Sequence, residues 1–293
     1  MPSSSTASDR AQRATLLVSC PDQRGIVSAL AQVLAGHGAN ILSADQHTDA
    51  ASASFFQRIH FDINTLHTDR LTLEGGIAEV RERFSMELSL HYGEHTKRIA
   101  IFVSKYDHCL YDLLLRVNSA ELHCRIPLIV SNHTDLSAIA EHFDIPYHHI
   151  PITPENKAEQ EGKTLALLKD SQIDVVVLAR YMQILTPDFL REYPDRVINV
   201  HHSFLPAFAG KKPYHQAHER GVKLIGASAH YATADLDEGP IIAQEVAHTS
   251  HRDAVEDLIR KGRDLERLVL SRAVRAHTED RVLVAHNKTV VFD

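Results

Sequence analysis

From residue 98 onward, short apolar runs alternate with segments of helical spacing, and this alternation constrains the fold more than any other feature of the chain. Strands are expected at 99–104, 126–131, 147–150 and 173–178, with helices at 109–117, 135–143 and 155–169 between them. The stretch 173–178 reads as a strand buried on both faces, which is the habit of parallel sheets. Strands separated by helices cannot pair as hairpins, so the order predicts an α/β domain with a doubly wound, mostly parallel sheet. Such sheets bind ligands beyond the carboxyl ends of their strands. Two further strands, 197–200 and 225–232, a long amphipathic helix at 254–274 and a closing hairpin at 281–292 complete the pattern.

The first ninety residues follow a different grammar. Strands are expected at 14–19, 40–47, 53–63 and 86–91, and helices at 26–34 and 71–84. Ile26, Leu30, Val33 and Leu34 fall at helical spacing, and Gly36-His37-Gly38 stops that helix. Strand, helix, strand, strand, helix, strand is the order of a ferredoxin-like unit. The expected organisation is therefore a disordered, Ser-rich tail over 1–12, a small domain over 13–92, a linker over 93–97 and a larger domain over 98–293.

Composition narrows the function. With 31 Lys and Arg against 38 Asp and Glu, the formal charge is −7, the opposite of a nucleic-acid surface. No apolar run approaches the ~20 residues of a membrane span. Three cysteines without a C-x-x-C pair fit a reducing cytoplasm better than a disulfide scaffold. Histidine is abundant, at 21 residues, yet neither His215 and His218 beside Glu219 nor the adjacent His148 and His149 form a complete ligand set, so no metal is expected.

The chemistry-bearing stretch is I-N-V-H-H-S-F-L-P at 198–206, followed by H-Y-A-T-A-D-L-D-E-G-P at 230–240. Alternation along a strand puts Asn199 and His201 on one face at its exit. Asp237 lies in a Gly/Pro-bounded loop after the strand 225–232. An amide donor, an imidazole and a carboxylate are the parts needed to attack a carbonyl with water or an amine. Taken singly, Asn199 is equally a turn-capping amide and His201 a satisfied structural histidine.

Together these motifs resemble the formyltetrahydrofolate-dependent hydrolase and formyltransferase family. The resemblance extends over H-H-S-F-L-P-A-F at 201–208, K-P-Y-H-Q-A-H-E-R-G-V-K-L-I-G-A at 212–227 and D-L-D-E-G-P-I-I at 235–242. It implies that Asn199 and His201 stabilise the developing oxyanion or pass a proton to the leaving nitrogen, and that Asp237 supports His201 and orders the attacking water. His230 would hold the carboxylate or the water. Met182, Gln183, Ile184 and Leu185, in A-R-Y-M-Q-I-L, would wall the pterin pocket, with the loop from Ala234 to Asp237 closing its other side.

Relatives that formylate a ribonucleotide amine carry glycines after the first strand of this domain to cradle a phosphate. Here the loop is V-S-K-Y-D-H-C at 103–109, without glycine, and similar to the hydrolytic branch, in which water replaces the amine. Cys109 in that loop is expected to be a packed thiol rather than a nucleophile. The implied reaction converts 10-formyltetrahydrofolate to tetrahydrofolate and formate, with folate as substrate and no cofactor, in one-carbon and purine metabolism. The C-P-D-x-x-G-I turn at 20–26 resembles ACT domains, which implies an amino-acid effector held where paired copies meet, and hence a homo-oligomer. Two alternatives stay open: formyl transfer to an amine, or a sensor whose enzyme domain is inactive. One departure bears on the substrate's tail. Many relatives carry Lys or Arg before the glycine after L-P-A-F, where this chain has Ala209-Gly210-Lys211-Lys212.

Overall fold

The computed structural model describes residues 7–206 and 213–293. The 209–212 segment therefore lies outside the described residues, as do the first six of the tail. The rest of the expected tail is not featureless: Ala7–Ala11 forms a short helix, α1, and β1 (Arg13–Pro21) follows almost at once.

The chain divides into two compact units. The first holds the residues up to Thr96 together with Asp280–Leu283 and Val290–Asp293, and the second holds Lys97–Glu279 and Val284–Thr289. This corrects the expectation that all of 98–293 belongs to the larger domain. Sequence order gives no hint that chain ends return to an earlier unit.

In the first unit, α2 (Ile26–Gly36), β2 (Asn40–Asp49), β3 (Ser54–Asp62), α3 (Arg70–Phe84) and β4 (Glu87–Tyr92) follow β1. The sheet has the order β2-β3-β1-β4, with β2–β3, β3–β1 and β1–β4 all antiparallel, the ferredoxin-like arrangement. Ile26, Leu30 and Leu34 of α2 are buried, joining Leu73, Ile77 and Phe84 of α3 against Leu16, Val18, Ile59 and Phe61 of the sheet. Each fully buried aliphatic side chain is worth about 1.5–3 kcal/mol. The entry to α2 is capped at Gly25, with φ 95°, rather than by the side chain of Asp22. Glycine is required there by the left-handed backbone; a Cβ would meet nothing nearer than 3.9 Å.

The second unit contains β5 (Arg98–Val103), α4 (His108–Asn118), β6 (Arg125–Ser131), α5 (Ser137–His142), β7 (Tyr147–His149), α6 (Lys157–Asp170), β8 (Val175–Leu178), α7 (Pro187–Glu192), β9 (Val197–His201), α8 (Pro213–Glu219), β10 (Leu224–Tyr231), β11 (Ile241–His248) and α9 (Val255–Thr278). A last hairpin pairs β12 (Val282–Ala285) with β13 (Lys288–Val291). The seven-stranded sheet runs β11-β10-β9-β8-β5-β6-β7. Pairings from β9 to β7 are parallel, whereas β10 is antiparallel to both β9 and β11. β8 is buried at all four positions, as a central strand covered on both faces must be. The chain winds from β5 through β6 to β7, then returns to β8 on the other side of β5. That reversal opens a crevice between the carboxyl ends of β5 and β8.

Candidate active site

The β5/β8 crevice is built by Ser104 and the segment after β8. The Ser104 hydroxyl donates to Asn132 Oδ1 at 2.6 Å and accepts from the Met182 amide at 3.0 Å. The far end of the segment is held by buried Glu161, which accepts from the Thr186 amide at 3.2 Å and from its hydroxyl. Thr186 in turn caps α7 by accepting from the Phe189 amide at 3.3 Å. Residues 181–185 are therefore anchored at both ends, and their side chains divide. Met182 and Ile184 are exposed, while Leu185 packs into the core with Phe102, Tyr181 and Phe189. Of the apolar residues expected to wall a pocket, Met182 and Ile184 are free to do so; Leu185 supports the segment from beneath.

The polar centre lies on the β9–β10 ladder. Asn199 pairs with His230 and His201 with Ser228, directly across two antiparallel strands. Residues two apart on a strand share a face, and directly paired residues have Cβ atoms about 5 Å apart. Four polar side chains therefore converge on one patch. A register shift between Ala229 and His230 on the β11 side re-aims His230. Ser228 is spent on structure: its hydroxyl donates to the Ser203 carbonyl at 3.0 Å and accepts from the Leu205 amide at 3.0 Å and from Gln244 Nε2 at 2.9 Å. These bonds hold the turn that leaves β9.

Asn199, His201, His230 and Asp237 are brought together. His201 Nδ1 lies 3.1 Å from Asp237 Oδ1, and His230 Nε2 lies 3.7 Å from the same oxygen. His230 Nδ1 is 2.9 Å from the Tyr231 carbonyl, an acceptor, so that nitrogen carries the proton. Its Nε2 then faces the Asn199 amide nitrogen at 3.1 Å. His201 Nε2 is buried without a hydrogen-bond partner among the described residues. Burial alone would raise the pKa of Asp237, but the hydrogen bond and charge of the His201 imidazole outweigh it and hold the carboxyl well below the usual range. Asp237 is therefore ionised. Its backbone is left-handed, with φ 59°, a conformation Asp and Asn tolerate better than most residues. Gly239, two residues on, packs so closely that a Cβ would sit 1.8 Å from the Tyr231 carbonyl oxygen. Ala234 is exposed in the same loop.

A second polar cluster was not visible in the sequence. Glu266, on α9 and 2% exposed, lies 2.7 Å from His108 Nε2, accepts from the Tyr214 hydroxyl at 2.9 Å and lies 3.5 Å from Arg180 Nε. His108, Cys109 and Glu266 form the group of potential metal ligands that stands out among the described residues. Their chemistry is that of an ion pair, because an arginine guanidinium already neutralises the carboxylate and burial pushes the Cys109 thiol far up. Buried and protonated, Cys109 is a packed thiol and not a nucleophile.

Over residues 97–274 the chain matches the formyl transferase family, and over 14–84 the ACT domain family. The class is thus a formyl transferase-type α/β enzyme domain joined to an ACT domain. A formyltetrahydrofolate deformylase of Synechocystis sp. is 57% identical over 95% of this chain and 98% of its own length. The crystal structure of a formyltetrahydrofolate deformylase from Pseudomonas syringae superposes with a TM-score of 0.93 at 49% identity, covering 96% of this chain and 95% of that one. A glycinamide ribonucleotide transformylase from Symbiobacterium toebii shares the fold over 68% of this chain and 95% of its own, with a TM-score of 0.64 at 28% identity. The chain belongs to the formyltetrahydrofolate deformylase family.

Proposed function

We infer that this chain hydrolyses 10-formyltetrahydrofolate to tetrahydrofolate and formate, and that Asn199, His201, His230 and Asp237 carry the reaction. The observation behind this reading is their convergence on one ladder at the strand ends, next to the anchored 181–185 segment. Attack of water on the formyl carbon places negative charge on its oxygen. Asn199 uses one amide hydrogen on His230 and keeps the other for that oxygen, a contact worth a factor of ~10² to 10³ in rate. With both ring nitrogens protonated, His201 donates from Nδ1 to Asp237 and from Nε2 to the oxyanion or the leaving nitrogen. Both imidazole contacts of Asp237 fall on Oδ1, so Oδ2 is the oxygen to orient the water and take its proton. His230 is a positioning residue for Asn199 and Asp237 together.

The pterin would lie along residues 181–185, with Met182, Gln183 and Ile184 against it and the loop from Ala234 to Asp237 opposite. The folate is substrate, and the residues present assemble the chemistry without a cofactor. Its products place the enzyme in one-carbon metabolism, supplying formate and thence purine synthesis. No helix among the described residues is long and apolar enough to cross a membrane, and we propose a cytoplasmic location. The ACT unit would pair with a second copy and bind an amino-acid effector at the left-handed Gly25 turn, making the enzyme a homo-oligomer. Formate release is to be followed from 10-formyltetrahydrofolate with and without candidate amines. Full release without any amine is expected. A strict amine requirement, with the formyl group recovered on it, would replace hydrolysis by transfer.

A further inference from the structure

Three of the four side chains proposed to carry the reaction stand on strands, and the fourth does not. Asn199, His201 and His230 belong to the β9–β10 ladder, whereas Asp237 sits in a loop whose residues 233–236 and 238 are exposed. A reacting group on a loop is held less precisely than one on a strand unless its neighbours fix it. Bonds within the loop brace the side before Asp237. The Thr233 hydroxyl donates to the Asp235 carbonyl at 3.0 Å, and the Glu238 amide donates to the same oxygen at 3.3 Å.

The side after Asp237 is held from elsewhere, by the last hairpin. Asn287, in the turn between β12 and β13, donates from Nδ2 to the Glu238 carbonyl at 2.9 Å. Thr289, two residues on, donates its hydroxyl to the Ile241 carbonyl at 2.5 Å. The segment 238–241 joins two members of the proposed site: Glu238 follows Asp237, and Ile241 is the β11 partner of His230 at the register shift. The same segment is fitted to the exit of β10. The Pro240 carbonyl accepts from the Tyr231 amide at 2.9 Å, and Gly239 leaves no room for a Cβ against the Tyr231 carbonyl.

An isolated two-stranded hairpin is marginal in water, so it can hold a loop only if it is itself held. This one is tied at its base. The Phe292 amide donates to the Arg281 carbonyl at 2.8 Å, Arg281 Nε donates to the Phe292 carbonyl at 2.6 Å, and the Phe292 ring is buried. Arg58 Nε donates to the Asp280 carbonyl at 2.9 Å. At the tip, His286 takes the left-handed backbone, with φ 56°, a region His adopts more readily than most residues. Asn is common in turns because its side chain bonds its own backbone two residues on. Here the amide of Asn287 reaches instead to the loop that carries Asp237.

We propose that Asn287 and Thr289 are positioning residues for the hydrolysis: by holding the Glu238 and Ile241 carbonyls they keep Asp237 Oδ1 against His201 and leave Oδ2 directed at the attacking water. The proposal rests on the role given to Asp237 above. Asn287 acts on the residue next to Asp237 and is the stronger of the two holds; Thr289 acts one step away, at the strand partner of His230. A displacement of about 1 Å at a reacting group costs on the order of 10² in rate, so losing one such hold is felt in turnover.

The test measures kcat and KM for formate release by the full-length protein, well below the melting temperature of each variant. Asn287→Ala removes the donor, and Asn287→Asp keeps its size but cannot donate to a carbonyl. Both are expected to lower kcat about tenfold or more, with KM within about threefold of the wild type. Thr289→Val should lower kcat about threefold to tenfold, while Thr289→Ser, which keeps the hydroxyl, stays within about twofold. In the Asp237→Asn background, Asn287→Ala should cost less than about a further twofold, because the carboxylate it positions is gone. A merely structural turn residue would lower the melting temperature while leaving kcat of the folded protein unchanged, or would lower kcat by the same factor in both backgrounds. Either result overturns the proposal. Equal losses in Thr289→Ser and Thr289→Val also overturn it, and that pair decides the matter should the Asn287 variants fail to fold. Absence of formate release from the wild type, or normal turnover of Asp237→Asn alone, would instead strike the reading on which the proposal rests.

Discussion

Replacing Asp237 by Asn tests the proposed chemistry with little disturbance of the fold. The position has φ 59°, and Asn is among the few residues that accept this region, so the loop keeps its shape. Alanine there would add backbone strain of about 1 kcal/mol and confuse the result. The variant loses the negative charge facing His201 at 3.1 Å and His230 at 3.7 Å, and it loses the basic oxygen that would take a proton from water. General acid–base assistance is typically worth ~10² to 10⁴ in rate, so kcat is expected to fall by about that factor. The proposed folate contacts along residues 181–185 do not involve Asp237, so the dissociation constant for a non-hydrolysable folate should change by less than about threefold. The assay couples formate release to an NAD-linked formate dehydrogenase, with folate binding followed separately by calorimetry. Turnover within about threefold of the wild type would refute the mechanism and leave Asp237 as a structural loop residue. A large loss of affinity at unchanged kcat would move Asp237 from chemistry to binding.

Asn199→Ala is expected to lower kcat by ~10² to 10³ through the lost oxyanion donor, with a smaller change in KM; an effect on KM alone would remove that role. His202 is held down from an ordinary 6.5 to about 4, by burial first and then by the charges of Arg180 and His201. A base depressed in the folded state is protonated first in the unfolded state, so stability is full above the unfolded pKa and declines as pH falls from 6.5 towards 4. The decline should reach up to about 3 kcal/mol, and His202→Gln should flatten denaturation midpoints over that window; identical pH dependence in both proteins would contradict the assignment. Burial raises the thiol of Cys124 to about 12 and holds that of Cys109 well above its ordinary value, so neither should react with iodoacetamide in the native protein at pH 8. Rapid alkylation of either without unfolding would show the thiols to be more open than the structure has them.

Local pattern carried a great deal of this protein. The apolar run of β8, the helical spacing of Ile26, Leu30 and Leu34, and the motif at 198–206 depend on neighbours a few residues apart, and strand or helix periodicity follows from them. The pairing of Asn199 with His201 on one face was legible for the same reason, because alternation along a strand needs no tertiary information. The third and fourth members needed the motif resemblance, since nothing local says that Asp237 folds back to within 3.1 Å of His201.

What the tertiary structure alone decided is non-local. The antiparallel course of β10 beside β9 brings His230 opposite Asn199, and a strand's direction in a sheet is set by packing and connection, not by its own residues. β11 was not foreseen, because an edge strand with one wetted face carries few apolar positions. Leu185 turned into the core rather than towards a ligand, a choice made by the two anchors of its segment. The Glu266 cluster joins residues 108, 180, 214 and 266 from four separate stretches of chain. Each of these in isolation is an ordinary polar residue on a helix or loop. Burying a carboxylate is tolerable only when partners arrive from elsewhere to compensate its charge, so the meaning of such a residue exists only once the chain has folded.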